Sequence, residues 1–151
     1  MSWTCRLAEL GITLPPVAAP AGAYVPAVRT GSLVFTAGQV PLVDGAVAAK
    51  GKVGAEIDVE RAQQLARVCA LNALAAVDGL VGLDSIVRVV KVVGFVASAP
   101  GFSAQPVVVN GASDLLGEVF GDAGAHARSA VGVAELPLGV PVEVELVVEV
   151  S

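Results

Sequence analysis

Histidine occurs once in the 151 residues, tyrosine and tryptophan once each, cysteine twice, and lysine with arginine only nine times. Each scarcity closes off a class of chemistry. A dedicated metal site needs a cluster of Cys, His or Asp ligands, and a lone His126 offers none. Nucleic-acid binding needs Lys and Arg gathered against phosphates. Here Lys50, Lys52, Arg88 and Lys91 are scattered, acids number 14, and the net charge is −5, so no nucleic-acid partner is expected. Arg6 and Glu9 interrupt the N-terminus and no apolar core of a signal peptide follows, so a cytoplasmic chain is expected. In that compartment Cys5 and Cys69 are expected as free thiols, with Cys69 packed in the core.

What the chain has in excess is apolar surface. Hydrophobic residues make up 55% before the 17 glycines are counted, and the mean hydropathy is +0.77. No membrane span is expected, because the charge-free stretches 10–28 and 92–113 carry prolines and glycines that break a spanning helix. A protomer that hides apolar surface in an obligate oligomer is the better reading. The length suits one domain over residues 1–151, with 1–20 as an N-terminal lead-in.

Residues 2–10 can form a short helix, and the prolines at 15, 16 and 20 then enforce an extended path. Tyr24–Arg29 and Leu33–Ala37 read as a hairpin around Thr30-Gly31-Ser32, and Asp44-Gly45 as a further turn. Asp58 caps a helix whose apolar face is Ala62, Leu65, Ala66, Cys69, Ala73, Leu74 and Val77, closed by Gly79 and Gly82. Gln63, Gln64, Arg67 and Asn72 fall largely on its outer side. Ile86–Val96, β-branched almost throughout, reads as a central strand buried on both faces. A second helix follows over Val107–Phe120, then strands over Ser129–Glu135 and Val142–Val150. The order is β-β-α-β-α-β-β, an α+β sheet with two helices on one face.

Two charged residues stand out against this background. Arg128 sits in His126-Ala-Arg-Ser-Ala-Val at the start of a strand, and Glu143 follows fifteen residues later in Val142-Glu-Val-Glu-Leu146. An arginine there can grip a carboxylate with two parallel N–H bonds. A glutamate opposite can hold or activate a water.

These residues resemble those of the Rid (YjgF) family of small enamine/imine deaminases, also known as L-PSP endoribonucleases. The resemblance spans roughly residues 20–150. It rests on Gly22-Ala-Tyr24-Val-Pro with Leu33-Val-Phe-Thr-Ala-Gly38-Gln39, on the helix and strand from Asp58 to Val96, and on Arg128-Ser-Ala-Val with Leu136-Pro and Val142-Glu143-Val-Glu145. It implies a chorismate-mutase-like protomer, a homotrimer closed around a central barrel, and active clefts between subunits. It further implies that Arg128 binds the substrate carboxylate, Glu143 positions the attacking water, Tyr24 lines the cleft and Asn110 lies near the ligand. Ala37 and Ala130 stand where the best-known deaminase members carry a serine and a cysteine, which marks a divergent branch.

Each of these residues has a plainer reading beside the functional one. Arg128 can pair with Glu143 or Glu145 as a structural ion pair, and Glu143 shares a strand face with Glu145 and Glu149 that water can solvate. Tyr24 can be core, Asn110 can serve a helix N-terminus, and His126 can be a surface or interface residue rather than a base. Thr36 and Ser129 are candidates for secondary hydrogen bonds only. The function expected is hydrolysis of small 2-imino or 2-enamino acids to 2-oxo acids and ammonia, with no cofactor. The alternatives are a trimeric binder of small carboxylic acids without catalysis, an endoribonuclease, and a purely structural use of the apolar surface.

Overall fold

The longest helix, α2 (Val59–Val81), has local reasons for both its ends. In the computed structural model, which describes residues 2–151, the Asp58 carboxylate accepts the Arg61 N–H at 2.8 Å and satisfies one of the helix's orphan donors. Gly82, at φ +83°, stops it. All seven apolar residues expected to face inward are buried. By length and composition α2 could cross a membrane, yet its apolar face is spent on the protein core. Asn72 departs from expectation: it is buried, and its amide donates to the carbonyls of Val40 and Leu42 at 3.2 Å each. A stripe this rich in alanine is broad enough to enclose one polar side chain, provided its hydrogen bonds are met.

The main sheet has the order β1 (Ala27–Thr30), β2 (Leu33–Thr36), β7 (Val142–Val150), β5 (Ile86–Ala97), β6 (Ala127–Val133). Its neighbours are antiparallel except β5 and β6. That parallel pair needs a crossover, which α3 (Gln105–Phe120) supplies. A two-residue hairpin, β3 (Leu42–Val43) and β4 (Ala46–Val47), turns at Asp44-Gly45. Near the N-terminus α1 (Trp3–Glu9) is capped by Ser2 and pinned by Trp3, whose indole N–H donates to the Ile86 carbonyl at 2.8 Å while its ring meets Phe120 edge-on. The expected α+β order is therefore present, with the two long helices on one face of the sheet.

That arrangement leaves the other face bare. In β7, Val142, Val144, Leu146, Val148 and Val150 are buried beneath the helices, whereas Glu143, Glu145, Val147 and Glu149 point away and are only half-buried. Strand β5 lies inside the sheet, between β7 and β6, but is not buried on both faces as its sequence suggests. Val92 and Val96 are enclosed, while Val93 and Phe95 are half-buried and Val87 and Val90 are exposed. Its continuous apolar run provides for a face that nothing within the protomer covers.

Candidate functional site

Arg128 lies on edge strand β6, opposite buried Val92, so its side chain leaves the sheet on the helix face. There α3 meets it with three acceptors at positions 106, 110 and 113, spaced along one side of the helix. One guanidinium nitrogen, Nη1, donates to Asn110 Oδ1 at 2.7 Å and to Ser113 Oγ at 3.2 Å; Nη2 donates to the Pro106 carbonyl at 3.3 Å. All three acceptors are neutral. The ion pairs among the described residues are Arg6–Glu9, Lys52–Glu135 and Arg67–Glu118, so Arg128 keeps a half-buried charge without a carboxylate partner. The structural pairing with Glu143 or Glu145 is not made within the protomer. Three of five N–H groups are engaged and two stay free for an incoming acceptor.

Glu143 lies in a different place. It pairs with Phe95 across β5, which puts its carboxylate on the open face of the sheet. Arg128 and Glu143 are thus on opposite faces, and two strand spacings with three residues of rise separate their Cα atoms by roughly 14 Å. A pocket of about 210 Å³ opens beside Glu143, lined by Tyr24, Gly38, Gln39 and Leu138 among others. Gly38 is there for a reason of space: any Cβ at that position would collide with the Glu143 carboxylate. Its neighbour Gln39 exchanges backbone hydrogen bonds with Val144 at 2.8 and 3.0 Å, which fixes Gly38 against Glu143. Burial pushes the Glu143 carboxyl above the usual carboxylate range, and the charge of Glu145 adds to the effect.

The remaining expected residues divide between these two places. Asn110 holds Arg128, not a helix N-terminus, and Tyr24 lines the Glu143 pocket with its hydroxyl accepting the Ala21 N–H at 3.1 Å. Both backbone groups of Ala37 are in use, its N–H donating to the Pro26 carbonyl and its carbonyl accepting from the Gln39 side chain. Ala130 shares the Arg128 face and packs partly against the core. Thr36 Oγ1 accepts the Leu146 N–H at 3.0 Å, a structural link between β2 and β7, and Ser129 accepts from Lys91. His126 contacts Ser113 and the Gly124 carbonyl. Ser113 was not singled out by sequence; its signal is a polar residue three positions after Asn110, on the same side of the helix. Cys69 is fully buried, which drives its thiol well above the ordinary range and leaves it inert.

Comparison with known proteins bears on the family and the fold. Residues 4–150 match the family model described as "YjgF/chorismate_mutase-like, putative endoribonuclease". Protein TCP17 of Trypanosoma cruzi is 46% identical over 97% of this chain and 92% of its own. A solved structure from Shewanella oneidensis, described as a putative endoribonuclease, is 33% identical with a TM-score of 0.95, covering 99% of this chain and 100% of that one. TdcF of E. coli, solved with bound serine, is 29% identical with a TM-score of 0.64, covering 92% of this chain and 96% of that one. With its sheet, helices and the full span from the first helix to the last strand accounted for, the chain belongs to the YjgF/chorismate mutase-like family.

Proposed function

We propose that the protein hydrolyses small 2-imino or 2-enamino acids to 2-oxo acids and ammonia, in clefts where Arg128 of one protomer meets Glu143 of the next in a homotrimer. The observation that carries this reading is Arg128 itself. A half-buried guanidinium held only by neutral acceptors, with two N–H groups unspent, is built for an anion that the protomer does not contain. The serine seen in TdcF is a small molecule of the right kind, bearing a carboxylate. The scattered basic residues and net charge of −5 favour a small acid over a polyanion such as RNA.

The chemistry asks little of the protein. Arg128 anchors the substrate carboxylate. Glu143, whose carboxylate is made more basic by burial, takes a proton from water as the oxygen adds to the C=N carbon. That proton passes to nitrogen to give the carbinolamine; Glu143 then carries the proton of the new hydroxyl to the amine, the C–N bond breaks as the C=O forms, and ammonia leaves a 2-oxo acid behind. The imine is labile, so positioning and proton handling supply the acceleration. No cofactor enters the scheme.

The test generates iminopropionate in situ with an amino-acid oxidase and follows its disappearance. The protein should accelerate hydrolysis, and Arg128→Ala should lower kcat/KM roughly 10- to 150-fold, the equivalent of a charged hydrogen bond of about 1.5–3 kcal/mol. Full activity in Arg128→Ala would overturn the reading. One observation favours a second reading, a trimer that binds carboxylic acids without turnover: neither Ala37 nor Ala130 offers a side-chain polar contact, and the Ala37 backbone is already committed. Affinity for pyruvate with no hydrolysis by the wild-type protein would select it.

A further inference from the structure

We infer that Ser113 and His126 form a relay that positions Arg128, running from the Gly124 carbonyl through the imidazole and the serine hydroxyl to the guanidinium. This rests on the proposal that Arg128 takes the substrate carboxylate. It assigns roles to two residues that have no part in the chemistry above.

The direction of each hydrogen bond follows from its ends. His126 Nδ1 lies 2.6 Å from the Gly124 carbonyl oxygen, which can only accept. Nδ1 therefore carries the proton, and in the neutral ring Nε2 is left as an acceptor. Ser113 Oγ lies 2.9 Å from Nε2, so the hydroxyl proton points to the ring. That turns the oxygen's lone pairs elsewhere, and one of them receives Arg128 Nη1 at 3.2 Å. A serine hydroxyl without the ring could rotate its proton toward the cation; with the ring it cannot do so without losing a bond. At the far end of the relay, Gly124 is buried at the foot of α3, where a turn over Gly121–Gly124 joins that helix to β6. The carbonyl that orients His126 is therefore anchored in the same connection that delivers Arg128 to its strand.

Asn110 and Ser113 together hold one nitrogen of the guanidinium and Pro106 one proton of the other. This pins the planar group against rotation while two donors remain available. The benefit is preorganisation: an arginine has many rotamers, and binding an anion with a free one costs the entropy of stopping it. A residue that orients the binding group equally for substrate and transition state changes KM, not kcat.

The experiment compares Ser113→Ala, Ser113→Thr and His126→Phe with wild type, measuring KM and kcat for iminopropionate and, by calorimetry, Kd for pyruvate. Ser113→Ala should raise KM and Kd about 5- to 10-fold, the worth of a hydrogen bond of about 1–1.4 kcal/mol, with kcat unchanged. Ser113→Thr, which keeps the hydroxyl, should restore both, and His126→Phe should fall between. Melting temperatures taken alongside separate positioning from folding, since a purely structural role moves Tm and leaves KM alone. Wild-type KM and Kd in both Ser113→Ala and His126→Phe, with Arg128→Ala impaired, would overturn the relay and leave the function standing. Full activity in Arg128→Ala would remove both. If the wild type binds pyruvate without turnover, the Kd series alone decides the relay, and failure of the wild type to bind pyruvate at all would overturn it.

Discussion

Glu143 is held in a state the unfolded chain would not choose. Its carboxyl is raised first by burial and then by Glu145, so between its unfolded value near 4.5 and its higher folded value the native protein binds more protons than the unfolded one. Stability contributed at this position is thus lost as pH rises through that window and stays lower above it. Glu143→Gln should therefore raise Tm at pH 7 relative to wild type, leave it nearly unchanged below pH 4.5, and abolish imine hydrolysis; thermal melts across pH check the first part. A Tm at pH 7 below that of wild type would contradict it. Gly38 belongs to the same local economy of space. An alanine there must displace the Glu143 carboxylate, so Gly38→Ala should cut kcat at least tenfold with a smaller change in KM, read from initial rates.

Among the elements, the packing of α3 on α2 has the least slack. Gly111 sits against the backbone carbonyl of Gln63, with no room for a methyl group between the helices. Gly111→Ala should therefore cost about 1–3 kcal/mol despite the better helix propensity of alanine, as measured by urea denaturation. Strand β7 was legible in the sequence to the residue, because apolar residues at every second position over Val142–Val150, with glutamate at three of the four positions between them, mark one inner face. Helix α2 was legible through its Asp58 cap and Gly82 stop. Asn72 was not, since periodicity assigns a polar residue outward and only the carbonyls of Val40 and Leu42, brought in by a distant loop, make its burial tolerable. The β3–β4 hairpin was visible only as a turn, because two-residue strands carry no periodicity of their own.

The molecule as a whole presents a sheet with one face unpaid for. Val28, Phe35 and Val131 on that face are 52%, 44% and 44% exposed, interspersed with the half-buried Val93, Phe95 and Val147. Apolar surface of this kind is expected to close against other copies of the chain. Phe35→Glu should reduce the proposed trimer to smaller species in sedimentation experiments while leaving the helix content intact. The sequence named Arg128, Glu143, Tyr24 and Asn110 but not their division between opposite faces. That division is set by how β6 and β7 each register on β5, a tertiary pairing which leaves no local trace in either strand. It also makes the catalytic proposal unusually exposed to test. Arg128→Ala, reduced at least tenfold, and Glu143→Gln, inactive, would be mixed under conditions that let protomers exchange, and imine hydrolysis measured. Random assembly should restore about a quarter of wild-type activity, the share of interfaces that join an intact arginine to an intact glutamate. No recovery, with exchange demonstrated by mass spectrometry, would contradict a site shared between protomers.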